Sequence, residues 1–247
     1  MKIIIITGGS RGIGAATATA CAMAGLGVVL TYNTNPQKAQ AVVDLIHEKG
    51  GKAITLPLDV SNSATFPAFR DAVSSTLAAN WGRTDFDYLV NNAGYGLYNL
   101  METVTEEQFD GLFRVHLKGP FFLTQTLLPL MTDGGHIINV TSATSRVATA
   151  GVAPYASFKA ALETLTRYQA KEFGNRAIRA NAVAPGPIRT ELGGGLNEEF
   201  ETLLSGQTSL GRVGEPEDVG EAIASLLSAQ NRWVNAQTIE ISGGYMI

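Results

Sequence analysis

Tyr155 and Lys159 stand four residues apart in the segment Pro154 to Phe173, whose composition and spacing predict a long helix. Residues four apart on a helix share one face, a single turn apart. A free tyrosine has a pKa near 10. A neighbouring ammonium favours the phenolate, so this pair is expected to exchange a proton closer to neutrality. Taken alone, the pair reads equally well as a solvated lysine beside a core tyrosine, and its surroundings decide. Ser142 lies 13 residues before Tyr155, just after the apolar run Ile137-Ile138-Asn139-Val140. Asn91-Asn92-Ala93-Gly94 follows another such run, Tyr88-Leu89-Val90. Both groups fall at the carboxyl ends of expected strands, where open α/β sheets bind ligands.

A second cluster sits near the start of the chain. Ile3 to Ile6 runs into Thr7-Gly8-Gly9-Ser10-Arg11-Gly12-Ile13-Gly14 and then into an alanine-rich stretch. A strand that turns sharply into a helix needs glycine where a side chain would obstruct the turn. A pyrophosphate that approaches the helix N-terminus needs it for the same reason. Gly8, Ser10, Arg11, Gly12, Ile13 and Gly14 are therefore expected to hold a dinucleotide. Two other motifs overlap the segment. A P-loop requires Lys after its last glycine, and none follows Gly12 or Gly14. Gly8-Gly9-Ser10-Arg11-Gly12 fits G-x-S-x-G, but the hydrolase order of Ser, acid and His needs a late histidine, and the last is His136.

An NAD site places an acid on the ribose 2′-hydroxyl about 20 residues after the glycines. Residues 1 to 43 contain no Asp or Glu, but do contain Lys2, Arg11 and Lys38. The second strand ends in Tyr32-Asn33-Thr34-Asn35, which is uncharged and hydrogen-bonding. A carboxylate would repel a 2′-phosphate, and a guanidinium would pair with it. The expected cofactor is NADP(H), with Arg11 and Asn33 in contact with it.

The elements that position these groups alternate. Strands are expected at Lys2 to Thr7, Val28 to Tyr32, Ala53 to Leu58, Asp87 to Val90, His136 to Val140, Ile178 to Val183 and Thr238 to Ile241. Helices are expected at Gly14 to Met23, Pro36 to Glu48, from a Ser61 cap to about Ala79, after Thr105 with Gln108 completing a capping box, at Pro154 to Phe173 and at Glu217 to Leu227. Such alternation implies right-handed βαβ units and a parallel sheet, and continuous apolar strands imply helices on both faces. The expected fold is a single doubly wound (Rossmann) α/β domain over residues 1–247. The Gly/Pro-rich stretch from Ala184 to Gly214 interrupts the rhythm, and a substrate loop is expected at about 190–214. Glu198-Glu199 and Glu215 to Asp218 read as solvated helix faces or helix N-termini that favour acids.

Composition excludes other classes. The 247 residues are 45% hydrophobic and only 16% charged, unlike a disordered chain. No apolar run approaches the roughly 20 residues of a membrane span. The net charge of −4 offers nothing to nucleic acid or an anionic membrane. Cys21 is the single cysteine and cannot form an internal disulfide. With no targeting segment recognised, a cytoplasmic location is expected. The three histidines show no metal-ligand spacing, so no metal site is expected.

Together the glycine loop, Leu58-Asp59-Val60, Asn91 to Gly94, Ser142 with Tyr155 and Lys159, Asn181 to Thr190 and Ile241 to Gly244 resemble the short-chain dehydrogenase/reductase family over essentially the whole chain. The resemblance implies transfer of a hydride between NADP(H) and a ketone or secondary alcohol. It implies Tyr155 as the general acid, Lys159 as the group that lowers its pKa and holds the nicotinamide ribose, and Ser142 as the hydroxyl that orients the carbonyl. It also implies Asp59 and Val60 beside adenine, and Asn91, Ala93 and Gly94 along the cofactor path. Pro185 and Gly186 would lie on that path too, with Ile188 and Thr190 at the nicotinamide carboxamide, and the chain would assemble as a homotetramer.

One position departs from the family pattern. Val115-His116-Leu117-Lys118-Gly119 carries His116 where the family usually has Asn, which helps hold a water in the proton relay to Lys. His116 either takes over that role through an imidazole nitrogen or is a structural histidine. Tyr95, Leu97, Tyr98, Val147 and Leu192 are candidates for an apolar substrate pocket or for ordinary core. No Arg cluster follows Asn91 to Gly94 to recommend an acidic carrier protein, so a general carbonyl reductase is expected ahead of a 3-oxoacyl thioester reductase or a sugar dehydrogenase. A non-catalytic NADP sensor would have no need of Ser142, Tyr155 and Lys159 together. An eliminating enzyme would tolerate a degenerate glycine loop, and this one is intact.

Overall fold

The computed structural model describes residues 1–247. Seven strands form one sheet: β1 (Ile3–Ile6), β2 (Gly27–Tyr32), β3 (Lys52–Pro57), β4 (Phe86–Asn91), β5 (Met131–Val140), β6 (Arg179–Pro185) and β7 (Thr238–Ile241). Their order is β3-β2-β1-β4-β5-β6-β7, and every pairing is parallel. Eight α-helices cover it: α1 (Gly12–Met23), α2 (Pro36–Glu48), α3 (Phe66–Trp81), α4 (Glu106–Phe113), α5 (Gly119–Leu127), α6 (Ala153–Glu172), α7 (Glu198–Gly206) and α8 (Pro216–Leu226).

Successive strand residues point to opposite faces, and here both faces are apolar. Ile4, Ile6, Val28, Leu30, Val90 and Val140 pack with Ala18 of α1, Val43 of α2 and Val219 of α8. Ile3, Ile5, Val29, Leu89 and Ile137 pack with Val73 of α3, Leu123 of α5 and Ala170 of α6. Each isoleucine of β1 is fully buried and contributes about 1.5–3 kcal/mol by leaving water. Helix α1 has small side chains because α8 crosses it closely. A Cβ on Gly220 would lie 2.6 Å from the Ala16 carbonyl carbon.

The sheet winds outward in both directions from β1 and β4, so a crevice opens beyond their carboxyl ends. The glycine loop leaves β1 at that crevice, and Asn92-Ala93-Gly94 leaves β4 there.

All strands but the fifth begin and end within two residues of expectation. Strand β5 starts at Met131, five residues early, through Gly134 and Gly135 and a register shift against β4. Ser61 does not cap the third helix. A 3₁₀ turn at Ser63–Thr65 intervenes, and α3 starts at Phe66. Helix α5 lies outside the expected elements, although Pro120 stands in its first turn. It continues directly from a π-helical turn at Arg114–Lys118, and its polar residues Thr124 to Thr126 share it with exposed Phe121 and Phe122. The stretch that interrupts the alternation contains α7, in keeping with the helical reading of Glu198-Glu199, capped by the Asn197 side chain, which accepts from the Phe200 N–H at 2.8 Å. Glu198-Glu199 and Glu217-Asp218 lie in the first turns of α7 and α8, where a helix dipole favours acids. No helix is long and apolar enough to cross a membrane.

Two histidines are buried in this framework. The His136 Nε2 lies 2.8 Å from the Asn181 Nδ2, and burial pushes the His136 pKa down to about 3. The pKa of His116 is likewise pushed down to about 3, chiefly by burial and then by the Lys159 charge. The unfolded chain takes up both protons below about pH 6.5, but the folded chain does so only near 3. Stability therefore falls as pH falls through this window. The expected loss is about 2 kcal/mol per histidine between pH 7 and 5. Urea unfolding at the two pH values measures it, and a His136→Gln variant should show a shallower dependence.

Candidate active site

The glycine loop is held by the strand beside it. The Thr7 hydroxyl accepts from the Asn92 N–H at 2.9 Å and the Ala93 N–H at 3.0 Å. The Asn92 Nδ2 donates to the Thr7 carbonyl at 2.8 Å and the Gly8 carbonyl at 3.1 Å. This brings Gly8 against Ala93, where a Cβ would lie 2.8 Å from the Ala93 Cα, and Gly8 has φ +66°. Only glycine fits both conditions. Helix α1 then opens with Arg11 at its N-cap, no side-chain cap and no acid in its first turn. Its first backbone N–H groups are free to take an anion.

That helix end faces a cavity of about 950 Å³. From the glycine loop, Gly8, Ser10, Arg11, Gly12, Ile13 and Gly14 line it. From the strand ends, Asn33, Asp59, Val60, Ala93 and Gly94 line it, as do Pro185, Gly186, Ile188 and Thr190. Ser142, Tyr155, Lys159 and His116 stand along the same wall. The residues singled out from three distant parts of the chain thus share one cavity.

Asn91 is the exception. It is buried, and its Nδ2 donates to the Asn139 Oδ1 at 2.8 Å and the Thr124 hydroxyl at 3.2 Å. Asn139 in turn donates to Thr166 and Gln169 of α6, each at 2.8 Å. Strand alternation sends Asn91 into the core with Leu89, and Asn92 lines the cavity in its place. Of the expected substrate residues, Tyr95 and Leu192 line the cavity. Leu97 does not. Val147 packs in a separate cluster with Ala143, Leu204, Val213 and Tyr245. Tyr98 is largely exposed and lies over Gly151. Lys38, Arg189, Glu191 and Leu196 also line the cavity. No motif marked Glu191 or Leu196, whereas the locally positive charge of residues 1 to 43 already included Lys38.

Tyr155 and Lys159 share the face of α6 that meets β5. The Lys159 ammonium is buried, donates to the Val140 carbonyl at 2.7 Å and lies 5.6 Å from the Tyr155 ring centre. Burial pushes its pKa down to about 8. Burial also pushes the Tyr155 phenol up to about 12, partly opposed by the Ser142 hydroxyl. The expected drift of the phenol toward neutrality is reversed, because its dry surroundings penalise the phenolate more than Ser142 favours it. The phenol therefore stays protonated at neutral pH, the form a general acid needs. The Ser142 Oγ accepts from the Thr144 hydroxyl at 2.9 Å and the Thr144 N–H at 3.2 Å. Its own O–H is thereby left to donate toward the cavity.

His116 occupies the π-helical turn between α4 and α5, a distortion frequent at functional sites. Its Nε2 lies 2.9 Å from the Tyr95 carbonyl. A carbonyl can only accept, so Nε2 carries the proton. Nδ1 is then a buried acceptor with no partner. The ring meets Tyr155 edge-on, with centres 5.0 Å apart. A Cβ on Gly94 would come 2.8 Å from the imidazole Cε1, which explains the glycine there. Neutral at physiological pH, His116 can accept a hydrogen bond but holds no proton to spare beyond the one on Nε2.

A crevice at the sheet's switch point, lined by a glycine loop and by Ser, Tyr and Lys, defines the class of protein. A family model described as enoyl-(acyl carrier protein) reductase matches residues 8–246. Elsinochrome reductase 1 of Elsinoe fawcettii is 36% identical over 98% of this chain and 93% of its own. The solved angucycline C-6 ketoreductase LanV with bound NADP is 36% identical, covers 99% of this chain and 95% of its own, and superposes with a TM-score of 0.95. A short-chain dehydrogenase/reductase from Serratia marcescens is 32% identical, covers 100% of this chain and 98% of its own, and has a TM-score of 0.92. The chain belongs to the short-chain dehydrogenase/reductase family and is an oxidoreductase of that family.

Proposed function

We propose that this chain is an NADP(H)-dependent ketoreductase that reduces an apolar ketone, with Tyr155 as its general acid. The observation that carries this reading is the shared cavity, with Ser142, Tyr155 and Lys159 on one wall and Arg11 and Lys38 at its rim. LanV, which covers nearly the whole chain, is a ketoreductase solved with NADP, and this supports the same cofactor. The residues fit that cofactor. The uncapped N-terminus of α1 suits a pyrophosphate, and Arg11 and Lys38 already converge on a carboxylate, that of Glu191.

When bound, NADPH supplies the hydride. The chain supplies orientation and the proton. The Ser142 O–H and the Tyr155 O–H both reach toward the place of the carbonyl oxygen, and the Tyr155 proton passes to that oxygen as negative charge develops on it. Lys159, beside the phenol and tied to the Val140 carbonyl, stabilises the phenolate left behind. The His116 Nδ1 offers a fixed acceptor beside this group for a water that resupplies the proton. Tyr95, Leu192 and Leu196 provide apolar wall for the substrate, with the loop over about 190–214 as its cover. Exposed Phe109, Phe113, Phe121 and Phe122 on α4 and α5 offer apolar surface for contact with further copies of the chain, in keeping with the homotetramer that the resemblance implies.

A panel of cyclic, aromatic and aliphatic ketones and a 3-oxoacyl thioester, followed by NADPH absorbance, tests this function. Turnover of ketones that Tyr155→Phe removes supports it. Tight NADPH binding without turnover of any substrate would indicate a sensor. For His116→Asn, an amide that also accepts a hydrogen bond, kcat should stay within a few-fold of the parent. A loss as large as that of Tyr155→Phe would rule out the water-holding role.

A further inference from the structure

We propose that Glu191 is a built-in competitor for the cofactor's 2′-phosphate, and that its displacement couples cofactor binding to the position of the substrate loop. This rests on the NADP(H) reading above. The Glu191 Oε2 lies 2.7 Å from the Arg11 Nη1, and its Oε1 lies 3.2 Å from the Lys38 Nζ. Arg11 comes from the glycine loop and Lys38 from the first turn of α2, so a single carboxylate gathers the two cations from separate elements. All three residues line the cavity. Residues 1 to 43 supply no acid of their own, so these cations are paired only by a residue 180 and 153 positions away.

The segment that carries Glu191 is built to move. Its base is fixed, with Arg189 N–H bonded to the Gly214 carbonyl at 2.8 Å and the Arg189 guanidinium paired with Glu201 and Glu215. Beyond Glu191 the chain runs through Gly193, Gly194 and Gly195, all at positive φ. The first two have nothing within contact distance of a would-be Cβ. Leu192 and Leu196, on either side of these glycines, line the same cavity and belong to the proposed substrate wall. One short stretch therefore holds both the carboxylate on the phosphate-binding cations and two side chains that shape the substrate wall.

Magnitudes allow the exchange. The ion pairs are about half exposed on the cationic side and more on the other, and such pairs are weak. A phosphate monoester carries up to two charges and three acceptor oxygens and forms stronger bonds to Arg than a carboxylate does. The 2′-phosphate thus displaces Glu191. A dinucleotide lacking that phosphate leaves the ion pairs, and with them the loop, in place.

Calorimetry with 2′,5′-ADP and 5′-ADP tests this apart from catalysis. Glu191→Gln should bind 2′,5′-ADP about three- to tenfold more tightly than the parent, from the loss of two weak pairs, and 5′-ADP within twofold. In the parent, hydrogen exchange of the 191–196 backbone should accelerate with 2′,5′-ADP and stay unchanged with 5′-ADP. Unchanged 2′,5′-ADP affinity in Glu191→Gln, or equal exchange with both nucleotides, overturns the proposal. Arg11→Ala separates the two levels. If it leaves 2′,5′-ADP binding intact, the NADP(H) assignment of these cations fails. If it weakens that binding while Glu191→Gln has no effect, only the competition fails.

Discussion

Tyr155→Phe is expected to lower kcat for ketone reduction by about 10²- to 10⁴-fold, the usual contribution of a positioned general acid. It removes one oxygen and leaves the ring against His116 intact, so NADPH affinity should change little. The pH dependence follows from the neighbouring groups. The phenol is held protonated to about 12 and the buried ammonium titrates near 8. For the parent, kcat/KM for reduction should be level through neutrality and decline as pH rises past about 8, where Lys159 loses its charge and no longer stabilises the phenolate. Lys159→Arg should move that decline to higher pH, because a guanidinium stays protonated throughout. A residual rate in Tyr155→Phe above a tenth of the parent's would remove the phenol from the proton transfer. An unmoved inflection in Lys159→Arg would assign the titration to another group.

The second large effect concerns cofactor choice. Replacing both Arg11 and Lys38 by Ala should raise the KM for NADPH by roughly 10²-fold or more, since a hydrogen bond to a charged group contributes about 1.5–3 kcal/mol. The KM for NADH should stay within a few-fold, because the rest of its binding surface is untouched. The parent should favour NADPH over NADH by a comparable factor in kcat/KM. Equal losses for both nucleotides would place the two cations on a part of the cofactor that they share.

Individual residues show how far local pattern reaches. Thr105 with Gln108 closes a capping box in the structure as its spacing implied, because both bonds lie within one helical turn. Asn91 and Asn92 are chemically identical neighbours, and nothing local tells which faces the crevice. The pleat of β4 against β5 decides, sending one side chain to Asn139 and the other to the glycine loop. Helix α5 is not legible in the pattern, because amphipathic spacing reveals a helix only when one face meets water, and here exposed Phe121 and Phe122 blur the contrast. The 184–214 stretch was legible as unusual from its glycines and prolines. Glu198-Glu199 carry the helical signal within it, and the Asn197 side chain fixes where α7 starts.

Several features were determined by the sequence itself. Strands and helices alternate with apolar runs on both strand faces, which requires a parallel sheet between two helical layers. The glycines from Gly8 to Gly14 permit one tight turn into a helix, and Tyr155 and Lys159 share a face by the period of the α-helix alone. These are consequences of backbone geometry over a few residues. Tertiary structure decided what depends on distance and on water. It put Glu191 on Arg11, 180 positions away, and left the His116 Nδ1 without a partner. It also set the proton affinities at the catalytic pair. Lys159 beside Tyr155 argues for a phenol that ionises early, but the fold buries Lys159 outright, leaves the partly buried Tyr155 little water, and raises the Tyr155 pKa instead. Spacing along a chain specifies which groups can meet. The cost of a charge depends on how much water the rest of the fold excludes, and no local pattern records that.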